Sequence, residues 1–146
     1  MNSKKLLIAV VLVSLVGCAQ KPSREIIAED GALTAVPTSS LLEQAQQAIE
    51  AGEFRNADPL LQQLNASART SKETLQYNLL ALEYAIKLKN IDQSQQVLDR
   101  IKHDQLNQSS KELQIKHGLL KAEFYELSGQ FLIAARERDF LSSILE

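Results

Sequence analysis

Across 146 residues the chain sets 16 Lys and Arg against 18 Asp and Glu, a formal charge of −2, and it has no tryptophan, five glycines and three prolines. An acidity so mild and scattered supplies no basic stripe for a phosphate backbone, which argues against nucleic-acid binding. A single cysteine excludes an internal disulfide, and the dominance of Leu, Ala, Gln, Glu and Lys favours an all-α fold over one domain's length of chain.

The first element in chain order is a leader. Lys4 and Lys5 form a positive n-region, Leu6 to Val16 an apolar h-region, and Leu15-Val16-Gly17-Cys18 has the layout of a bacterial lipobox. The apolar run falls short of the roughly 20 residues a helix needs to cross a membrane, so residues 1–17 read as a removable signal peptide. Cleavage between Gly17 and Cys18 would leave Cys18 as the new first residue. Its thiolate is the one good nucleophile able to take a diacylglyceryl group, and the freed amine can be acylated further. An ordinary free cysteine just past a secretory signal is the plainer alternative. Ala19 follows the cysteine where aspartate would retain the protein at the inner membrane, so the expected address is the periplasmic face of the outer membrane.

Residues 18–38 then change character, with Pro22, Ser23, Gly31 and Pro37 and no sustained period. They read as the acylated cysteine and a flexible tether, spanning roughly 25 Å root-mean-square as a coil of about twenty residues.

From residue 39 to 146 the pattern is helical. Ser40-Leu41-Leu42-Glu43, Thr70-Ser71-Lys72-Glu73 and Ser109-Ser110-Lys111-Glu112 each have the capping-box form, in which a hydroxyl accepts from a helix amide and the glutamate reaches back. Behind the second and third come apolar stripes at helical spacing: Leu75, Leu79, Leu82 and Ile86, then Leu113, Leu120, Phe124 and Leu127. Glu83 with Lys87 and Glu112 with Lys116 are four-apart pairs expected on the wet side.

A shift of 37 positions lays Leu42 on Leu79, Ile49 on Ile86, Phe54 on Ile91 and Leu60-Leu61-Leu64 on Val97-Leu98-Ile101. A further shift of 40 lays Leu79-Leu80 on Leu119-Leu120, Ile91 on Phe131 and Ser94 on Ala134. The period near forty predicts antiparallel helix pairs, with turns at Gly52-Glu53-Phe54, Asn90-Ile91-Asp92 and Gly129-Gln130-Phe131, where glycine or asparagine takes the left-handed backbone that ends a helix. Each turn carries one large apolar residue expected to pack beneath it. Such pairs stack as a tetratricopeptide-like (TPR-like) solenoid, in which no pair buries its stripe alone; an irregular helical bundle is the alternative. The last helix keeps Phe140, Leu141, Ile144 and Leu145 apolar, so either it folds back on the preceding pair or the chain is a piece of something longer, which is the expectation here.

The order of lipobox, tether and helix pairs, with Tyr77-Asn78-Leu79-Leu80-Ala81-Leu82, Leu119-Leu120-Lys121-Ala122 and the closing run Gly129 to Leu141, resembles the N-terminal region of the LpoA family of outer-membrane lipoproteins that activate class A penicillin-binding proteins. The resemblance implies a tetratricopeptide-like array reaching from the outer membrane through the peptidoglycan. It also implies a C-terminal domain of periplasmic-binding-protein type, absent from these residues, that docks on the synthase. No docking residues transfer from it, and the partner-binding positions stay unknown at this point. The alternative is a self-sufficient short envelope adaptor that recruits other periplasmic proteins through its groove.

Enzyme chemistry finds little footing. His103 and His117 stand fourteen apart without a metal-ligand pattern and read as surface or helix-end histidines. No serine sits in a Gly-x-Ser-x-Gly elbow, and no glycine loop could cradle a phosphate, so no catalytic, metal or cofactor residues are assigned. Arg136-Glu137-Arg138 reads as solvated charge on the last helix.

Overall fold

In a computed structural model of the protein, residues 36–67 and 69–145 are described. The expected signal peptide, the expected cleavage site at Gly17 and Cys18, and most of the expected tether lie outside the described residues. The described part is all-helical, with seven helices: α1 (Thr38–Glu50), α2 (Phe54–Ala66), α3 (Ser71–Lys87), α4 (Ile91–Leu98), α5 (His103–Asn107), α6 (Lys111–Leu127) and α7 (Phe131–Leu145).

Three tight hairpins organise these helices: α1 packs on α2, α3 on α4, and α6 on α7. Each is closed by the same backbone device. Gly52 N–H donates to Ile49 O and Glu53 N–H to Ala48 O; Lys89 N–H donates to Ile86 O and Asn90 N–H to Ala85 O; Gly129 N–H donates to Glu126 O and Gln130 N–H to Tyr125 O. This paired closure satisfies carbonyls that a helix end leaves without partners, and it needs one left-handed residue. Gly52 (φ 74°) and Gly129 (φ 77°) take that conformation without a Cβ penalty, whereas Lys89 (φ 56°) takes it against one. The second turn thus corrects the sequence reading: Asn90 is not the left-handed residue but the N-cap of α4, its Oδ1 accepting from Gln93 N–H at 3.1 Å.

The helix starts diverge more. Only Thr70 forms the full capping box, its hydroxyl accepting from Glu73 N–H while the Glu73 carboxylate accepts from Thr70 N–H at 2.9 Å. That carboxylate is held below the usual glutamate range, chiefly by the backbone N–H of Thr70 and then by its hydroxyl. α1 instead starts behind Pro37 without a side-chain cap, and Ser40, already inside the helix, accepts from the Gln44 amide. Pro37 has no N–H of its own, and its carbonyl accepts from Ser40 and Leu41. At α6 the N-cap is Ser110, accepting from Leu113 N–H, so Glu112 stands one place too early to close a box.

α3 is the central helix. It touches α1, α2, α4, α5 and α6, and among the described residues α1 and α6 do not meet. Leu75, Leu79, Leu80, Leu82 and Ala85 of α3 are buried, joined by Leu41, Ala45 and Ile49 of α1, Ala57 and Leu64 of α2, Val97 of α4 and Leu120 of α6. At about 25 cal/mol per Å² of apolar surface, burying each leucine contributes roughly 1.5–3 kcal/mol. Small residues permit the close approach within each hairpin: Ala57, Ser94 and Ala134 are almost fully buried at one position of α2, α4 and α7. Ser94 satisfies its hydroxyl by donating to Asn90 O at 2.7 Å.

The return leg of the second hairpin breaks where that of the first, α2, continues as one helix. α4 ends at Leu98, with Arg100 N–H and Ile101 N–H tightening onto Val97 O and Leu98 O, and Lys102 is extended before the single-turn α5. Leu106 of α5 plugs into the core beside α3 and α6. Nothing in the stripe pattern had signalled this extra turn.

Candidate partner-binding surfaces

Three surfaces arise from this packing. The first is a groove over α3 in the gap between α1 and α6, with Leu42, Leu79, Leu80 and Leu113 as its floor and Glu43, Gln46, Lys72, Gln76, Glu112 and Lys116 around it, about 330 Å³ in volume. An apolar floor with amides and charges of both signs at the rim is suited to an extended or helical peptide and offers no single-sign field for a phosphate ligand.

Charge placement here departs from the sequence reading. Lys116 does not pair with Glu112 on its own helix; its Nζ reaches Glu83 of α3 at 3.0 Å, while Lys87 stands at 3.9 Å from the same carboxylate. Glu83 is therefore a half-buried strut between α3 and α6. The reason is geometric: α3 and α6 pack directly, so a lysine at their seam finds the neighbouring helix as near as its own next turn.

A second pocket of about 210 Å³ lies between the α4–α5 segment and α6, lined by Leu98, Asp99, His103, His117, Lys121 and Tyr125 among others. The two histidines that look unrelated in the sequence face the same cavity, and His117 is half-buried rather than a surface residue. Burial, more than the nearby Lys121 and His103 charges, pushes the His117 imidazole below its ordinary value, with Glu137 acting in the opposite sense. Among the described residues no group of three or more His, Cys, Asp or Glu is placed to hold a metal ion.

The third surface is formed by α6 and α7. Leu141 is buried against Gly118, where an added Cβ would lie 2.6 Å from the Leu141 Cδ2. Two residues of the expected solvated run clamp this hairpin: Glu137 accepts from Lys121 at 2.7 Å, and Arg138 pairs with Glu126, leaving Arg136 exposed. Phe131, Leu132 and Phe140 remain largely exposed. The apolar turn residues therefore do not behave alike. Phe54 packs edge-on to Tyr84 with ring centroids 5.9 Å apart, whereas Ile91 and Phe131 lie open. Tyr84 is held in place by its hydroxyl, which donates to Asp58 at 3.4 Å; burial first, then the Asp58 charge, raises its pKa.

Cys18, the one lipid-attachment candidate, and Gly17 lie outside the described residues. No described helix is long and apolar enough to cross a membrane. Compared with known proteins, the chain is matched by no family model, no curated protein and no solved structure.

Proposed function

We propose that this protein is a lipid-anchored outer-membrane scaffold whose helical part is a tetratricopeptide-like solenoid, resembling the N-terminal arm of an LpoA-type activator of peptidoglycan synthesis. The observation that supports the solenoid is the spacing of one turn. The left-handed closures at Gly52, Lys89 and Gly129 recur at the 37- and 40-residue offsets at which the apolar positions also align. Ala57, Ser94 and Ala134 repeat at the same two offsets, all buried. Repetition of both turn and core position is what a stacked array requires and an irregular bundle does not.

The mechanism on this reading is positional. Acyl chains on Cys18 hold one end in the membrane, since two or three chains anchor stably where one is marginal. The tether and helix pairs carry a partner site away from the lipid and towards the peptidoglycan. Stimulation of a class A penicillin-binding protein would belong to the C-terminal domain that the resemblance places outside these residues. The groove between α1, α3 and α6 favours a second reading, an adaptor that recruits other periplasmic proteins directly.

Replacing Cys18 with serine tests the anchor: the variant should keep its helical circular dichroism but leave the outer-membrane fraction. Its retention there would refute lipid anchoring. The intact mass from native envelopes separates the two readings, because a species several times heavier than 16.2 kDa identifies the arm of a larger activator. A species near the signal-stripped mass plus acyl groups identifies the adaptor.

A further inference from the structure

The pocket beside His117 has a twin. Asp58, Leu61 and Gln62 of α2 and Tyr77, Ala81 and Tyr84 of α3 line a pocket of about 150 Å³ where the first hairpin meets the second. Moved by the two repeat offsets of 37 and 40, these positions become Gln95, Leu98, Asp99, His117, Lys121 and Phe124. All six line the pocket of about 210 Å³ where the second hairpin meets the third. One seam is built twice and filled with different chemistry.

The first seam is locked. The Tyr84 hydroxyl donates to Asp58 across it at 3.4 Å, and the Arg69 guanidinium covers the Tyr77 ring, its carbon 4.0 Å from the centroid. At the second seam these ties are gone. Phe124 has no hydroxyl to donate, Gln95 has no carboxylate to accept, and Lys121, in the place of Ala81, turns to Glu137 of α7. Among the described residues no side-chain hydrogen bond or ion pair joins α4 or α5 to α6. The return leg is also two short helices joined through the extended Lys102 (φ −78°, ψ 135°), so a backbone change there can move α5 and its buried Leu106 together.

Charged groups stand around His117 on every element packed against α6. Asp99 of α4 accepts from Gln95 at 2.8 Å, and His103 of α5 lines the same pocket, while Asp104 lines the neighbouring cavity towards α3. Glu83 of α3 is held by Lys116 and Lys87, and Glu137 of α7 by Lys121. Burial, then the Lys121 and His103 charges, keep the imidazole below its ordinary value, with Glu137 acting against them. Such a group takes its proton more readily once the seam is open, so falling pH drives opening.

We infer that the seam between the α4–α5 leg and α6 is a proton-operated hinge: when His117 takes up a proton, α5 swings away about Lys102 and withdraws Leu106, while the α2–α3 seam stays shut. The element that moves is the one with no polar tie to α6, and the charge that moves it sits at the position the first seam gives to Tyr77. The hinge depends neither on Cys18 acylation nor on any synthase.

Amide hydrogen exchange of the full chain at pH 7.5 and 5.5, corrected for the intrinsic rate at each pH and repeated at low urea concentrations, tests the hinge. An imidazole that titrates near its ordinary 6.5 in the open form lets opening rise up to about tenfold at pH 5.5. Residues 98–108 are expected to lose protection several-fold with little dependence on urea, because a local opening exposes little surface. His117→Gln should abolish this response to pH, and His103→Gln should keep most of it. Unchanged protection, or a loss that persists in His117→Gln, overturns the proposal. So does a loss with the full urea slope of the α3 amides, since the seam would then open only when the whole chain unfolds. If a variant fails to fold, the unaltered chain still decides by NMR: the Leu106 methyl resonances should shift with the same pH midpoint as the His117 ring protons, and separate midpoints refute the coupling.

Discussion

Gly118 sets how closely α7 can approach α6, and substituting it separates two opposed effects. Gly118→Ala should gain up to about 1 kcal/mol from helix propensity, because glycine in a helix interior loses more backbone freedom on folding. Against that, the new Cβ would stand 2.6 Å from Leu141 Cδ2 and 3.1 Å from its Cγ and Cδ1, closer than carbon atoms tolerate. Leu141 is only 5 % exposed, so it has little room to turn away, and overpacking of this kind costs about 1–3 kcal/mol. The overlap should win, leaving Gly118→Ala destabilised by about 1 kcal/mol. Removing the obstacle reverses the sign: in a Leu141→Ala background the same change should stabilise by up to about 1 kcal/mol, a coupling of about 2 kcal/mol. Urea unfolding of the four chains, followed by far-UV circular dichroism, measures the cycle. If Gly118→Ala has the same effect with and without Leu141, the close contact does not govern the α6–α7 seam and the reasoning fails.

Two further expectations concern single positions. Lys89 holds a left-handed backbone at φ 56° where the other two hairpins use glycine, so Lys89→Gly should stabilise the protein by about 0.5–1 kcal/mol, seen as a higher urea midpoint with an unchanged slope; an unchanged or lower midpoint would count against strain at this turn. His117 has a folded-state pKa below its ordinary 6.5, so the unfolded chain binds the proton first. Its contribution is therefore neutral above that value, and stability falls as pH drops below 6.5 towards the folded pKa. His117→Leu should flatten that part of a stability-against-pH curve, and an identical slope in the variant would show that other groups cause it.

Local signals in the sequence were strong wherever the chemistry acts within one turn of helix. Thr70 and Glu73 form the box their spacing announces, and glycines 52 and 129 end their helices. The leucines of α3 are buried as a period of 3.6 residues demands. Ser40 and Ser109 show the limit of such signals, because a hydroxyl three residues before a glutamate is necessary for a capping box but does not set where the helix begins. Pro37 moved the start of α1 ahead of Ser40, and Ser110 displaced Ser109.

By itself the sequence determined an all-helical fold for the described residues, the repeat offsets of 37 and 40, and the glycines that close the first and third hairpins, because propensity, periodicity and turn chemistry act between near neighbours. Only the tertiary structure decided that Lys116 serves Glu83 on another helix, that His103 and His117 share a pocket, and that Leu119 lies open while its counterpart Leu79 is sealed. These depend on which helix stands beside which, and side chains with identical local patterns are buried or bare according to that neighbour alone.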